Sequence, residues 1–370
     1  NFGYSHAFNT LERWKKEKIL IKEQQDSLYL YEQEFCFNGK TKKTTGIICL
    51  VKLEDFSKKV ILPHENTLAS PRLDRLNLLK STFCNFNPIY SLYSDKTLQT
   101  KKRVELFLKN KPDMEASDKD GVTHRIFKIS DPEIIAKICD DFKNRKLFIA
   151  DGHHRYETAL EFKKFCADNN IASNNGLLDY TLMFLVNARS TDLTIFPTHR
   201  IIHDLKDFSL KKFIKKCKKY FYVSEKQNIL EVKSSLEYHF KRNENVFALY
   251  TGNNSWHILT LKNKELIKKE MSKNPRVLRS LDVTVLHFIV LGKILKTDCK
   301  SNFCDKNLIY TRNINKAIRL VDKKEAKCAF ILNPTTISQI INVAYAKEKM
   351  HQKSTYFYPK AISGFLINEL

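Results

Sequence analysis

The segment FIADGHHRYET, residues 148–158, contains the features that decide the fold. A short apolar strand over residues 146–150 runs into the Asp151-Gly152 turn, and a helix is predicted from about residue 154 to 167. A strand that turns directly into a helix gathers unpaired backbone N–H groups and the positive end of the helix dipole at one point. Gly152 also lets the backbone approach a ligand closely. We therefore predict a phosphate-binding turn here.

Four polar side chains of this turn are candidates for chemistry. His153, His154 and Arg155 can donate charge-assisted hydrogen bonds to phosphoryl oxygens, and arginine is the best bidentate partner. Asp151 can hold a metal ion or orient an imidazole. The competing interpretation is structural: Asp151 caps the helix, and the histidines pack or face solvent. Four chemically capable side chains within five residues favour a functional site.

The periodicity around this segment predicts an α+β fold. Strands at 27–37 and 45–53 form a hairpin through Asn38-Gly39, and a helix follows from Asp131-Pro132 onward. The remaining predicted elements are helices at 11–18 and 70–83, a strand at 177–186, a basic amphipathic helix at 209–221, a hairpin of strands 246–250 and 256–261, helices at 280–295 and 308–319, a strand at 328–332 and a helix at 336–346. We expect a mixed-sheet core over residues 1–205 and a C-terminal α/β domain over residues 206–370 that closes the cleft.

Composition limits the class of protein. The chain has 370 residues, 64 Lys or Arg, 41 Asp or Glu and a net charge of +23. This charge is compatible with nucleic-acid binding, but lysine, spread along the whole chain, outnumbers arginine, which base readout favours. The charge also suits an anionic substrate. The nine scattered cysteines form no CxxC pair, which favours reduced thiols in a cytoplasmic protein. Neither a membrane span nor a secretory signal is predicted.

Three further segments hold candidate site residues. His64 and Glu65 follow a short strand and a proline, where a carboxylate can act as general base, although a loop glutamate is usually only solvated. The segment QKSTYFYPK, residues 352–360, could grip a carboxylate or phosphate, or could pack as an aromatic tail. An equally ambiguous polar cluster follows another strand and consists of Thr198, His199 and Arg200.

The motifs IADGHHRYETAL, LPHENTL, NPIYSLYSD, FPTHR and QKSTYFYPK resemble those of a widespread family of bacterial proteins catalogued as a domain of unknown function. Three places are also similar to the free L-serine kinases of the ParB/sulfiredoxin-like superfamily. In those kinases a Pro-His-Glu motif carries the catalytic glutamate, a DGHHR turn binds nucleotide phosphates, and a Ser-Pro-Lys-Thr-Thr segment follows in the C-terminal domain. The corresponding positions here are Glu65, the turn at 151–155 and the segment 351–355.

The resemblance implies a ParB/sulfiredoxin-like core in which residues 66–130 form an inserted subdomain. It also implies a small-molecule kinase that uses ATP or ADP with Mg²⁺ and phosphorylates a hydroxyl, first of all that of free L-serine; another amino acid or a small alcohol stays open. The implied catalytic residues are Glu65, Asp151 and His154, with Asp151 also the metal ligand. The implied nucleotide-binding residues are Gly152, His153, His154 and Arg155. The implied substrate-binding residues are His64, Thr198, His199, Arg200, Lys353, Ser354 and Thr355.

Two alternatives stay open. A ParB-like protein could use the same turn for nucleotide-dependent nucleic-acid binding without kinase activity, although no helix-turn-helix stands out in the sequence. A sulfiredoxin-like reductase would need a cysteine beside the turn, and the nearest in sequence are Cys139 and Cys166. The kinase hypothesis therefore ranks first.

Overall fold

A computed structural model describes residues 2–172, 176–205, 208–296 and 307–370. The chain divides into two compact units: the first comprises Asn1–Thr194 and Phe357–Leu370, and the second Ile195–Tyr356. The boundary thus precedes the expected one at 205/206, because the strand His199–Ile202 pairs within the sheet of the second unit. The last residues of the chain, expected in the C-terminal domain, return to the first unit.

The strands are numbered in chain order. They are β1 Leu28–Phe37, β2 Lys40–Lys52, β3 Ile61–Leu62, β4 Cys84–Asn85, β5 Ile89–Tyr93, β6 Met114–Ser117, β7 Thr123–Ile129, β8 Leu147–Asp151, β9 Tyr180–Asn187, β10 Thr194–Ile195, β11 His199–Ile202, β12 Phe221–Lys226, β13 Val246–Tyr250, β14 Trp256–Leu261, β15 Leu308–Thr311, β16 Cys328–Leu332, β17 Phe357–Tyr358 and β18 Asn368–Glu369.

The helices are numbered in the same way. They are α1 Phe2–Lys16, α2 Ala69–Thr82, α3 Gln99–Val104, α4 Pro132–Phe142, α5 His153–Asp168, α6 Leu210–Cys217, α7 Ile229–Lys241, α8 Lys264–Glu270, α9 Arg276–Arg279, α10 Asp282–Val285, α11 Ile314–Asp322 and α12 Ile337–Tyr345. A π-helix spans Leu286–Ile294, and 3-10 turns span Phe56–Lys58, Glu105–Lys109 and Leu177–Asp179. No helix within the described ranges is long and apolar enough to cross a membrane.

The first unit is built on a mixed eight-stranded sheet in the order β3-β8-β5-β9-β2-β1-β7-β6. The pairs β3·β8 and β5·β9 are parallel, and the other neighbours are antiparallel. Strands from residues 66–130 are integral to this sheet, since β5 lies between β8 and β9 and β7 pairs with β1. The segment expected to form an inserted subdomain is therefore part of the core sheet.

Local sequence signals explain the elements around the site. The β1–β2 hairpin turns at Asn38 and Gly39, both with positive φ, as the Asn-Gly pair predicts. Asp131 caps α4, since its side chain accepts hydrogen bonds from the backbone N–H groups of Glu133 and Ile134. Helix α5 packs on β8, with Tyr156 buried in the same apolar cluster as Ile149. The Tyr156 hydroxyl also donates to the Glu54 carbonyl at 2.8 Å, which fixes the start of α5 against the sheet.

The second unit has an antiparallel six-stranded sheet in the order β12-β14-β13-β16-β11-β15. The predicted hairpin at 246–261, the strand at 328–332 and the helix after Thr336 are confirmed. The helix predicted at 308–319 is wrong in its first half. Residues 308–311 form β15 beside β11, and Asn313 caps α11 instead. The α+β class, with a large mixed sheet and a second sheet-containing unit, is confirmed.

Candidate functional site

Strand β8 ends in the Gly152 turn, and α5 starts at His153 as predicted. Gly152 has φ +100°, which L side chains rarely adopt. A Cβ at this position would lie 2.8–2.9 Å from the guanidinium of Arg155, so a side chain here would strain the backbone and require the end of the arginine to shift. The N-cap of α5 is Gly152 itself, which has no side chain with which to cap the first turn.

Asp151 lies between two cations. Its Oδ2 accepts from Arg155 Nη2 at 2.8 Å, and its Oδ1 accepts from Lys360 Nζ. Burial opposes ionisation of this carboxyl group, but Lys360 and Arg155 outweigh burial and hold the pKa of Asp151 below its usual value. The three charges leave the cluster with a net charge of +1, beside the start of a helix.

Arg155 is held in place by backbone oxygens as well as by Asp151. Its Nη1 donates to the carbonyls of Pro88 at 2.6 Å and Asn87 at 3.2 Å, in the loop between β4 and β5. Arg75 lies close enough to help lower the pKa of Arg155, after burial as the main cause. A cavity of about 60 Å³ is lined by both arginines. The positive charge of the turn therefore extends along this side of α5.

Lys360 is the residue that the sequence analysis missed. It is delivered by the C-terminal segment that returns to the first unit, where Gln33 donates to its carbonyl oxygen at 2.8 Å. Nearby, Phe357 packs against Tyr90, and the Ile362 amide donates to the Tyr31 hydroxyl at 3.1 Å. In the sequence, Lys360 is marked only by its place at the end of the QKSTYFYPK motif, of which the earlier residues Lys353, Ser354 and Thr355 were the predicted site residues.

One ring nitrogen of each histidine in the turn binds a backbone N–H group. The Nε2 of His153 accepts from the His64 backbone N–H at 3.2 Å, and the Nε2 of His154 accepts from the Leu68 N–H at 2.9 Å. A ring nitrogen that accepts carries no proton, so neither Nε2 is the phosphoryl donor that was expected. Both rings instead fasten the segment 64–68 to the start of α5.

That segment carries Glu65. Strands β3 and β8 are parallel, with Leu62 opposite Phe148, so Glu65 and Asp151 each lie three residues beyond paired positions at the same end of the sheet. Glu65 is half-buried, and Thr67 donates to the Glu157 carboxylate of α5, a further tie between the segment and the helix. Glu65 thus follows β3 at the end of the sheet where the turn follows β8, and its role as general base stays a prediction.

His64 is not placed to bind a substrate. Its side chain is fully buried and hydrogen-bonds to the backbone of Ile149, and its ring lies edge-on to His153 at 4.6 Å between centroids. Burial lowers the pKa of His64 to about 4, so the ring is neutral near pH 7. It acts as a packing residue that supports the 64–68 segment.

The predicted magnesium ligand does not fit this arrangement. Each oxygen of Asp151 is engaged by a cationic side chain, and a divalent ion there would have to displace both. The described part of the chain contains no group of three or more His, Cys, Asp or Glu that could hold a metal ion. We therefore derive no step through a protein-bound Mg²⁺.

The other predicted substrate-binding residues belong to the second unit, whereas the turn belongs to the first. Arg200 is buried there and donates to the carbonyls of Thr198 and Lys353, the latter at 3.2 Å. His199 is also buried, and its Nδ1 accepts from the Leu332 N–H at 3.3 Å. In these contacts Arg200 and His199 hydrogen-bond to backbone groups, and their predicted role in substrate binding stays a prediction.

Some of these residues do share a cavity. Thr198, Arg200 and Ser354 line a space of about 280 Å³ within the second unit. Ser354 donates to the His351 carbonyl, and its own carbonyl accepts from Thr335 at 3.1 Å. The segment 351–355 is therefore ordered by its own backbone contacts in this unit. Substrate binding by Lys353, Ser354 and Thr355 stays a prediction.

Fold and site together define a two-unit α+β protein with a cationic strand–helix turn in its first unit. A family model described as "Protein of unknown function (DUF1015)" matches residues 1–284, and the chain belongs to this family. The predicted membership of a domain-of-unknown-function family is thereby confirmed. No curated protein sequence matches the chain.

Three solved structures are similar to this chain at low identity. A free serine kinase in complex with AMP is 15% identical, with a TM-score of 0.39 over 85% of this chain and 90% of that one. A conserved hypothetical protein from Pyrococcus furiosus is 13% identical, with a TM-score of 0.40 over 86% and 94%. SbnI with a C-terminal truncation, from Staphylococcus aureus, is 10% identical, with a TM-score of 0.40 over 85% of each chain. These similarities are too low to transfer an activity.

Proposed function

We propose that the chain is a nucleotide-dependent phosphotransferase whose Gly152 turn binds the polyphosphate of ATP or ADP. One observation carries this proposal: α5 begins at a glycine with positive φ, and Arg155 and Lys360 lie beside this turn on the two oxygens of Asp151. Backbone N–H groups at a helix start and adjacent cations are the usual elements of a phosphate site.

Asp151 has an organising role in this proposal. Its carboxylate lies between the cationic side chains of Arg155 and Lys360, which would otherwise repel each other, and so keeps them side by side. An incoming phosphate offers both cations a second anion, and Lys360, at the end of a flexible stem, can turn toward it while Arg155 stays fixed by the loop carbonyls. Phosphoryl transfer depends mostly on such positioning and charge neutralisation. Any Mg²⁺ would arrive with the nucleotide and be held by its phosphates.

Glu65 is the proposed general base, and free L-serine is the proposed acceptor on the strength of the motif resemblance. The Glu65 carboxylate takes the proton of the acceptor hydroxyl as the hydroxyl oxygen attacks the terminal phosphorus. The bond between that phosphorus and the bridging oxygen breaks, and the nucleotide leaves one phosphoryl group shorter. The products are O-phosphoserine and either ADP or AMP. His153 and His154 serve the reaction by fixing the segment that carries Glu65.

Mass-spectrometric detection of O-phosphoserine tests this function. The purified protein is incubated with serine, Mg²⁺ and either ATP or ADP, and a panel of other amino acids and small alcohols is run in parallel. Glu65→Gln should abolish the product and retain nucleotide affinity. Glu133→Gln, at an exposed position of α4, is the matched control and should leave turnover unchanged. Absence of phosphorylated product with every acceptor and both nucleotides would rule the function out.

A further inference from the structure

The positive charge of the chain is concentrated in the second unit. Residues 195–356 contain 32 Lys or Arg against 14 Asp or Glu, a net charge of +18, which leaves +5 of the total +23 for the rest of the chain. Both parts of the chain thus hold the same number of basic residues, and the second unit holds far fewer acidic ones, so its surface is the more cationic.

Helix α6 carries the densest part of this charge. Phe213 and Cys217 are buried on its inner side, with Phe213 against Phe330 of the sheet. Six lysines, all exposed, cover the outer side of the helix and the turn that follows it. This lysine face consists of Lys211, Lys212, Lys215, Lys216, Lys218 and Lys219.

Acidic side chains neutralise little of the lysine face: Lys219 helps to lower the pKa of Glu270, for which the hydrogen bond from Lys293 is the main cause. Across the residues that the structure describes, none of its six side chains forms an ion pair. Elsewhere in the chain several basic residues do have acidic partners: Arg125 and Lys43 both pair with the glutamates of β1, and Lys268 pairs with Glu265 at 3.3 Å. A cluster of like charges with few counter-charges is electrostatically unfavourable unless a polyanion binds it.

An aromatic ring lies beside the lysine face. Strand β12 follows it directly and is an edge strand of the six-stranded sheet. Its Tyr222 side chain is 65% exposed. Lys262, at the end of β14, connects the two features, since its Nζ donates to the Lys218 carbonyl at 2.7 Å and lies 5.4 Å from the Tyr222 ring centre. Cations and an exposed ring thus follow one another along the edge of the sheet.

We propose that this edge of the second unit binds single-stranded nucleic acid. The lysine face would neutralise the phosphates, and Tyr222 would stack on an unpaired base. A row of lysines binds the phosphates of a nucleic acid whatever its base sequence. An exposed aromatic ring can stack on any base, provided that the base is not already stacked in a duplex. This surface differs from the alternative in which the Gly152 turn itself acts on nucleic acid, because its residues lie in the other unit. It is also independent of the phosphotransferase activity.

Fluorescence anisotropy with a labelled 20-nucleotide oligo(dT) or oligo(U), at several salt concentrations, tests the proposal on the full chain. One variant removes four charges from α6: Lys211→Gln, Lys212→Gln, Lys215→Gln and Lys216→Gln. The matched control removes four exposed lysines of the first unit: Lys102→Gln, Lys109→Gln, Lys111→Gln and Lys119→Gln. The slope of log affinity against log salt should fall by about 0.7 for each lysine that contacts a phosphate, or by about 3 for all four. The control should keep the wild-type slope.

Tyr222→Ala should weaken binding roughly tenfold at constant salt slope, whereas Tyr222→Phe should bind like wild type, because stacking needs only the ring. Lys360→Met should also bind like wild type, which separates this surface from the proposed nucleotide site. Equal losses in the α6 variant and its control would show a non-specific charge effect and overturn the proposal. So would equal affinity for duplex DNA, or binding to phosphatidylserine-containing vesicles without binding to the oligonucleotides.

Discussion

Replacement of Gly152 by alanine should strain the backbone and also displace Arg155. The control variant Gly121→Ala strains the backbone alone, so the difference between the two variants measures the effect of displacing Arg155. Both glycines have positive φ, +100° at Gly152 and +78° at Gly121. An added Cβ in this region costs about 1–2 kcal/mol. Nothing lies within 4 Å of that atom at Gly121, whereas at Gly152 it would lie 2.8–2.9 Å from the Arg155 guanidinium.

The flexible end of the Arg155 side chain must shift to make room for the added methyl group, and we expect this shift to move it away from its partners. It would then weaken its bonds to Asp151 at 2.8 Å and to the Pro88 carbonyl at 2.6 Å. A charge-assisted hydrogen bond contributes about 1.5–3 kcal/mol, and the side chain of Arg155 is 26% exposed, which reduces that contribution. We expect Gly152→Ala to lower the free energy of unfolding by about 2–4 kcal/mol and Gly121→Ala by about 1–2 kcal/mol.

Urea denaturation of both variants measures the stability difference, and isothermal titration with ADP measures the functional one. ADP affinity should fall at least tenfold in Gly152→Ala and stay unchanged in Gly121→Ala. Equal destabilisation of the two variants would show that Arg155 does not resist the added methyl group. Unchanged ADP affinity in a destabilised Gly152→Ala would refute phosphate binding at this turn.

Three other predictions concern Lys360, His154 and His64. Lys360→Met should weaken ADP binding roughly tenfold in the same titration, while Lys360→Arg should retain most of the affinity. Lys360→Met should lower the free energy of unfolding by less than about 1 kcal/mol, because the ion pair between Lys360 and Asp151 is one-third exposed. Equal ADP affinity in the wild type and both variants would contradict the assignment of Lys360 to the nucleotide site. His154→Ala removes the acceptor for the Leu68 N–H and should speed hydrogen exchange in the 64–68 segment and lower kcat at unchanged ADP affinity; unaltered exchange there would refute the fastening role. Acidification from pH 6.5 toward pH 4 should destabilise the protein, because burial lowers the pKa of His64, His199 and His351 to about 4 and only the unfolded chain protonates them in that window. Each of these histidines contributes up to about 1.4 kcal/mol per pH unit. Urea midpoints at pH 7 and pH 5 measure this loss, and His64→Gln should reduce the slope.

The local architecture could be predicted because its signals lie within a few residues of each other. The apolar run before Asp151, the glycine after it and the helical pattern that follows fix β8, the turn and α5 without help from the rest of the chain. The same holds for the hairpin at Asn38-Gly39. At 308–311 the helical pattern failed, since pairing with β11 determined the outcome and no local signal reports that pairing.

The site could be predicted only in part because its contacts cross long separations. Lys360 meets Asp151 across 209 positions, and a lysine in an aromatic tail gives no sign of its partner. The sequence shows that His153 and His154 can donate or accept, but their role depends on backbone N–H groups 89 and 86 positions away. The type of a residue determines which hydrogen bonds and charges its side chain can offer, and its tertiary contacts determine which of these it uses.

The return of the chain to the first unit also determines when the site can form during synthesis. The ribosome releases the Gly152 turn early but must complete the whole second unit before Lys360 emerges. At about 5–20 residues per second, the stretch between Thr194 and Lys360 takes roughly 8–35 s. For that interval Asp151 has only Arg155 as a cationic partner, and β4 lacks its partner strand β18. A nascent chain therefore passes through a period in which most of the first unit has been synthesised but the ion pair between Lys360 and Asp151 at the Gly152 turn cannot yet form.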